Sequence, residues 1–267
     1  MMHAYVEGVG LYGPGLDGWA RSAPVLAESE NYALGPDILP ASTLLPANER
    51  RRAPRMVKLA LAVGAEAFAS ARRDPAGIAV VFASSGGDGE TIHDILDTLA
   101  SPQRELSPTK FHNSVHNAAA GYWGIATGST AATTSLCCHD DSFAAGLLEV
   151  MAQITATGQP VALVAYDVPY PPPLSAARPI GAVFGTGLVL SPVATPASFA
   201  RLEANLLPCA GAPTTAAPGF EALRQSTPAA RSLPLLAAFA KGVAAAVTLD
   251  YLTDMTLALD ITPHEQL

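Results

Sequence analysis

Apolar positions along the chain follow two different periods, and the switches between them mark out the elements. Residues 4–11, AYVEGVGL, alternate and run into Gly13, Pro14 and Gly15, which predicts a first strand closed by a turn. Residues 17–47 are rich in Pro, Ala and Ser without a firm period and are expected to be mostly loop. Pro54 suits a first helical position, and Val57, Leu61, Gly64 and Phe68 then form one helical stripe. Residues 77–83, GIAVVFA, form a short apolar run with β-branched members, as in a strand buried on both faces. The turn SSGGDG leads into a helix with Ile92, Ile95, Leu96 and Leu99 on one side. Residues 117–126 read as helix and 130–135, TAATTS, as a strand of small side chains. The clearest helix covers 140–156, with Phe143, Leu147, Val150, Met151 and Ile154 on one face. Residues 161–166, VALVAY, are another buried strand. Beyond them, 183–191 and 198–205 read as strands, and 207–231 as loop with a short helix near Phe220–Arg224. Residues 233–246 read as helix and 251–261 as a last strand. The alternation from 77 to 166 predicts a parallel-rich sheet of about five strands with helices on both faces. No segment repeats at a fixed period.

Composition agrees with a layered α/β core. The 267 residues suffice for one large domain or two small ones, and 49% hydrophobic against 14% charged content describes a well-buried globular chain. A net charge of -8 argues against a broad basic face for nucleic acid. The one basic cluster is Arg50, Arg51, Arg52, Arg55 and Lys58, which reads either as a solvated helix entry or as a docking patch for an acidic carrier protein. The opening MMHAYVEGVGLYGPG lacks a basic region followed by an apolar run. Leu235–Val247 is too short for a span and is broken by Lys241. Three cysteines, two of them adjacent, make no disulfide framework. A soluble, cytoplasmic chain is therefore expected.

The candidate chemistry is Cys137-Cys138-His139-Asp140-Asp141, between the small-residue strand and the clearest helix. A thiol on such a turn lies near the positive end of the helix dipole, which can lower its pKa and offer N–H groups to an oxyanion. Two carboxylates within one turn of the thiol oppose thiolate formation. Both cysteines also fit as small buried hydrophobes. Adjacent residues cannot all face one metal, so zinc ligation is not expected. His112 and His116, four apart, lack the partner motif of a metal pair. The SSGGDG turn lacks the ending of a phosphate loop, and Gly185-Thr186-Gly187 lacks a dinucleotide fingerprint.

The run SPTKFHNSVHNAAAGYWGIATGSTAATTSLCCHDDSFAAG resembles the stretch around the nucleophile of the β-ketoacyl synthases. Phe111, Asn113, Ser114, Asn117, Gly121 and Gly128 match that family's order and spacing, and ungapped counting from Gly128 puts Cys137 on the nucleophile position. VEGVGLYGPG resembles the family's first strand and AVVFASSGGDGE its third strand and glycine loop. The resemblance spans roughly residues 4–192. It implies a thiolase-like layered α/β fold equal to the first half of a ketoacyl synthase. Residues 1–192 would form that domain, and 193–267 a short divergent extension packed on it. The condensing enzymes also need two histidines from their second half, and after residue 192 this chain has only His264.

DDSFAAGLLE, 140–149, is what the short chain-length-factor proteins of aryl polyene pathways would carry. The resemblance thus implies a non-catalytic subunit that pairs with a full-length β-ketoacyl synthase and shapes its acyl tunnel. Phe111, Asn113, Asn117, Thr130, Thr133 and Thr134 would lie at the interface, and Arg50, Arg51, Arg52 and Arg55 would meet an acyl carrier protein. No cofactor is implied. Two alternatives remain open. One is a minimal acyltransferase or thioesterase using Cys137 with His139, His112 or His116, and the other is a homodimeric scaffold.

Overall fold

The computed structural model describes residues 2–35, 39, 44–208 and 212–264. Parts of the expected loops at 17–47 and 207–231 therefore lie outside the described residues, as does Cys209. In chain order the strands are β1 (Met2–Gly13), β2 (Leu16–Asp17), β3 (Ala79–Ala83), β4 (Thr133–Leu136), β5 (Val161–Asp167), β6 (Phe184–Ser191), β7 (Ala200–Pro208), β8 (Ala245–Tyr251) and β9 (Met255–Pro263). The helices are α1 (Trp19–Leu26), α2 (Ala47–Arg52), α3 (Arg55–Ala71), α4 (Gly89–Ala100), α5 (Pro108–Asn113), α6 (Ala118–Thr127), α7 (Ser142–Thr157), α8 (Leu174–Ala177), α9 (Pro218–Ser226) and α10 (Leu233–Lys241).

Among the described residues the strands form one sheet in the order β4-β3-β5-β6-β1-β7-β9-β8, with β2 hairpinned onto β1. Only β4–β3 and β3–β5 pair in parallel; the other pairings are antiparallel. The sheet is thus wider and less parallel than the expected five strands. Helical crossovers give parallel pairing only within 79–167; the later strands, joined by the β8–β9 hairpin and by connections that carry α8, α9 and α10, pair antiparallel.

Side-chain alternation along the strands divides the core into two layers. Val81, Ala83, Leu163 and Ala165 face a cluster with α7 and α10, while Val80, Phe82, Ala162 and Val164 face α3 and α6. A strand buried on both faces must be apolar at every position, as 77–83 and 161–166 are. Helix α3 comes so close to β1 that a Cβ on Gly10 would stand 2.0 Å from the Val63 carbonyl oxygen, and one on Gly8 2.2 Å from that of Ala67.

Three expectations need correction. Residues 19–26 are helical, although Pro24 interrupts them. Buried Leu26 and the Glu66 carboxylate, which accepts from the Trp19 N–H, supply from tertiary contacts what local propensity lacks. The helix expected over 233–246 ends at Lys241, where Gly242 takes a left-handed φ of 60°, and β8 begins at Ala245. The strand expected over 251–261 contains the β8–β9 turn, because Tyr251 already pairs with Met255.

The C-terminal residues extend the same sheet. β7 pairs with β1, β9 with β7, and β8 lies outermost. The outer edge of β8 is occupied at Thr248, whose carbonyl accepts from the Thr214 N–H (2.8 Å) and whose N–H donates to Thr214 Oγ1 (2.9 Å). At the opposite end no strand pairs with the outer edge of β4 among the described residues.

The α3–β1 contact gives a direct test. Gly10→Ala adds one methyl group against a backbone oxygen, and overpacking of this kind is expected to cost about 3 kcal/mol or more in urea unfolding. An unchanged midpoint would show that α3 can step away from β1.

Candidate functional site

The turn between β4 and α7 is built from Cys137 to Ser142. Cys138 caps a 3-10 turn over His139–Asp141, and α7 starts at Ser142. His139 takes a left-handed φ of 52°, uncommon for a residue with a side chain. The Ser142 hydroxyl holds the bend, accepting from the Cys138 N–H (3.0 Å) and donating to the His139 carbonyl (2.7 Å).

Cys137 is exposed, and its thiol donates to the Ser85 carbonyl at 3.0 Å. Cys138 is half-buried, and burial, then the neighbouring Cys137 and Asp141, push its thiol pKa up. Among the described residues no histidine is hydrogen-bonded to either sulfur. The His139 ring is turned to Asp140 (3.5 Å), His116 Nε2 meets the Leu136 carbonyl (3.0 Å), and His112 sits edge-on to Tyr122.

The two carboxylates beside the thiols also form ion pairs. Asp140 pairs with Arg178 and with Arg231 (3.1 Å), and Asp141 pairs with Arg231 (2.8 Å) while accepting from the Leu252 N–H (3.0 Å). Their charge is met by arginines, and through Arg231 and Leu252 they tie the turn to the C-terminal segment. Burial raises the Asp141 pKa, against the lowering effects of the Leu252 N–H and Arg231.

A second buried carboxylate lies behind the turn. Asp167, at the end of β5, accepts from the Ser85 N–H (2.9 Å), the Ala229 N–H (2.8 Å) and the Ser84 hydroxyl (3.3 Å). It therefore joins the loop that holds Cys137 to the turn that carries Arg231. Burial raises its pKa to about 6, although the bonds from Ser85, Ala229 and Ser84 act the other way. Sequence reasoning missed Asp167, Arg178 and Arg231. The charge that ends the apolar run VALVAYD is the one local signal for Asp167, since a buried carboxylate needs partners.

The other expected site residues separate into an outer and an inner set. Phe111, Asn117, Thr130 and Thr133 are exposed, and Thr134 is half-buried, with its Oγ1 accepting from Gln153 (3.1 Å). Asn113 is buried: its amide donates to the Arg52 carbonyl (3.0 Å), and its oxygen accepts from the Tyr122 hydroxyl (3.1 Å). Its hydrogen bonds join α5 to α2 and α6 within this chain. Arg50, Arg51 and Arg52 are exposed on α2. Arg51 donates to Asn48, Arg52 lies 3.8 Å from Glu49, and Arg55 is half-buried at the start of α3. No group of three or more potential metal ligands stands together among the described residues. No helix there is long and apolar enough to cross a membrane.

Helix α4 exposes its apolar side. Leu96, Leu99, Phe111, Val115 and Ile125 each leave between 43% and 66% of their surface in solvent. They lie on α4, α5, α6 and the segment between the last two. These elements are linked by the Lys110–Asp94 ion pair (2.8 Å), and α6 packs on β3 and β4.

A mixed sheet whose central strands are covered on both faces, with a cysteine on the turn from an edge strand into a buried helix, defines a thiolase-type α/β protein. Residues 19–248 match the model for the β-ketoacyl synthase N-terminal domain, and the chain belongs to that family. Among solved structures it is similar to a chain of the ketosynthase (ApeO) in complex with its chain length factor (ApeC) from Xenorhabdus doucetiae, with 21% identity and a TM-score of 0.73 over 97% of this chain and 100% of that one. The ishigamide ketosynthase/chain length factor aligns at 13% identity and a TM-score of 0.72, over 99% of this chain and 100% of that one. A type II polyketide synthase carrier protein in complex with its hexaketide-bound ketosynthase (AntDE:AntF) aligns at 10% identity and a TM-score of 0.77, over 98% and 99%. At these identities the likeness establishes the fold. No curated protein sequence matches the chain.

The Asp167 carboxyl binds its proton more tightly in the folded chain, near pH 6, than in the unfolded one, near pH 4. Its contribution is thus full below about pH 4 and is lost as pH rises through about 6, a change of up to about 3 kcal/mol. Relative to Asp167→Asn, the wild type is expected to lose stability across that window in urea titrations. Parallel curves for the two proteins would rule out a proton held by Asp167.

Proposed function

We propose that this chain is a non-catalytic subunit, of the chain-length-factor kind, that pairs with a full-length β-ketoacyl synthase and shapes its acyl tunnel. The observation that carries the reading is that no strand pairs with the outer edge of β4 among the described residues, while α6, which packs on β4, exposes Ile125, and the segment before it, held to Leu136 by His116, exposes Val115. Proteins cover, charge or pair such edges, and clustered apolar side chains on a surface mark interaction sites. This chain closes its other edge at Thr248 with its own backbone and leaves β4 for a partner. Small Thr133 and half-buried Thr134 let a second strand or helix approach closely. The solved complexes similar to this chain include a ketosynthase with its chain length factor, which supports a synthase as the partner.

The thiols support the same reading. The Cys137 thiol is committed to the Ser85 carbonyl, and a nucleophile needs a base in hydrogen-bonding reach. Condensation would therefore fall to the partner's own cysteine and histidines. Arg50, Arg51 and Arg52 adjoin α5 through the Asn113–Arg52 bond, and they are offered here as the docking point for an acidic acyl carrier protein. The same edge would serve a homodimer when the partner is absent.

The test is co-expression with a full-length β-ketoacyl synthase from the same source, read by size-exclusion chromatography. Phe111→Asp and Thr133→Arg are each expected to weaken the complex by about 2 kcal/mol or more, roughly thirtyfold, while each chain keeps its far-UV spectrum. Elution of both variants as an intact heterodimer at wild-type affinity would mean that β4 is not the interface.

A further inference from the structure

The SSGGDG loop after β3 opens on a hydroxyl that has one proton and two acceptors. Ser84 Oγ lies 2.9 Å from the Gly86 carbonyl oxygen and 3.3 Å from Asp167 Oδ1. A hydroxyl carries a single donor hydrogen, so Ser84 serves one of the two at a time. The charge on the carboxyl decides which. An ionised carboxylate is the stronger acceptor, because charge-assisted hydrogen bonds are roughly twice as strong as neutral ones. A neutral carboxyl has no such advantage, and the nearer Gly86 carbonyl then takes the hydrogen bond.

The surroundings of Asp167 accommodate both charge states. The carboxyl is buried, and the N–H groups of Ser85 (2.9 Å) and Ala229 (2.8 Å) point at its two oxygens. These donors offset the cost of burying a charge. The neutral acid instead needs an acceptor for its own O–H. The Ser85 hydroxyl is buried, makes no hydrogen bond as it stands, and is close enough to the carboxyl to act on it. Burial holds the Asp167 proton up to about pH 6, so both states occur between mildly acidic and neutral solution.

The other ionisable groups around this carboxyl are occupied elsewhere. Tyr166 and Tyr170 feel the Asp167 charge, and burial raises both phenols, which stay neutral through this range. Asp88, in the same loop, accepts from the Glu90 N–H and from Thr91. The Cys137 thiol donates to the Ser85 carbonyl. Arg178 is paired with Asp140, Arg231 with Asp140 and Asp141, and Arg224 with Glu221. Asp167 is therefore the group whose ionisation reaches Ser84.

We propose that Asp167 and Ser84 form a proton-operated switch of the SSGGDG loop, in which the carboxylate draws the Ser84 hydroxyl to β5 and the neutral acid releases it to the Gly86 carbonyl. The carboxyl proton is exchanged with solvent. Above the titration the loop is tied to β5 through the hydroxyl; below it, the loop is closed on itself by a bond from Ser84 to Gly86. Ser85, between those two residues, holds the Cys137 thiol, so the two loop states lie directly beneath the thiol turn.

The test follows two carbon-13 shifts in the isotope-labelled full chain between about pH 4 and about pH 8. Asp167 Cγ reports the carboxyl, and the Gly86 carbonyl carbon reports the hydrogen bond it accepts. In the wild type both are expected to titrate with one midpoint, the Gly86 carbonyl moving downfield on acidification as it gains the hydroxyl. In Ser84→Ala, Asp167 is expected to titrate still while the Gly86 carbonyl stays fixed. In Asp167→Asn the Gly86 titration is expected to vanish. A wild-type Gly86 carbonyl that does not follow Asp167, or an Asp167 carboxyl that keeps one state throughout, overturns the switch. So does a Gly86 carbonyl that still titrates in Ser84→Ala, because it then reports the nearby charge and not the hydroxyl.

Discussion

Helix α7 is buried around more of its circumference than one sheet can cover, and the rest of the structure answers that constraint. Phe143, Leu147, Val150, Met151 and Ile154 are all buried, and so are Ala144, Ala145 and Gly146 on its other side. The sheet takes part of this surface. At Gly146 the approach is so close that a Cβ would meet Leu163 at 2.7 Å and Ala83 at 2.8 Å. The remaining surface is covered by the turn at 228–232 and by β8, which join α7 in one core with α10. Burying each large apolar side chain contributes about 1.5–3 kcal/mol, so residues beyond 192 complete the core of the first part of the chain.

The ion pairs around Arg231 fasten that cover at its edge. Their side chains keep between 20% and 39% of their surface exposed, so each pair contributes little free energy. Their value is positional. Arg231 reaches Asp140, Asp141 and Asp250 together, and Asp167 fixes the Ala229 N–H in the same turn. The bend that presents Cys137 is held from the β4 side by Ser85 and from the C-terminal side by Arg231.

Much of this layout was legible in the residues. GIAVVFA and VALVAY read as strands buried on both faces, and β3 and β5 lie within them or cover them; Pro54 marked the start of α3, and the family resemblance pointed to the thiol turn. What stayed hidden depends on distance along the chain. Helix α1 contains a proline and rests on Glu66, a residue from another helix. Alanine runs on from α10 into β8, so the boundary depended on Gly242, and the expected helix extends past it. The ion-pair partners of Asp140 and Asp141, Arg178 and Arg231, lie far away in sequence, with no local pattern to announce them. Asn113 matched a family position, yet its side chain is spent on Arg52 and Tyr122, which spacing alone does not reveal.

The two ends of the sheet are unequal, and the inequality limits how many chains can join. Sheets that offer pairing sites at both ends can add copies without limit and grow into fibres. Here Thr214 fills the bonding positions at Thr248, whereas among the described residues β4 has no strand on its outer edge. A strand added to β8 would first have to displace Thr214 from Thr248. The segment that carries Thr214 therefore works against open-ended growth at that end of the sheet.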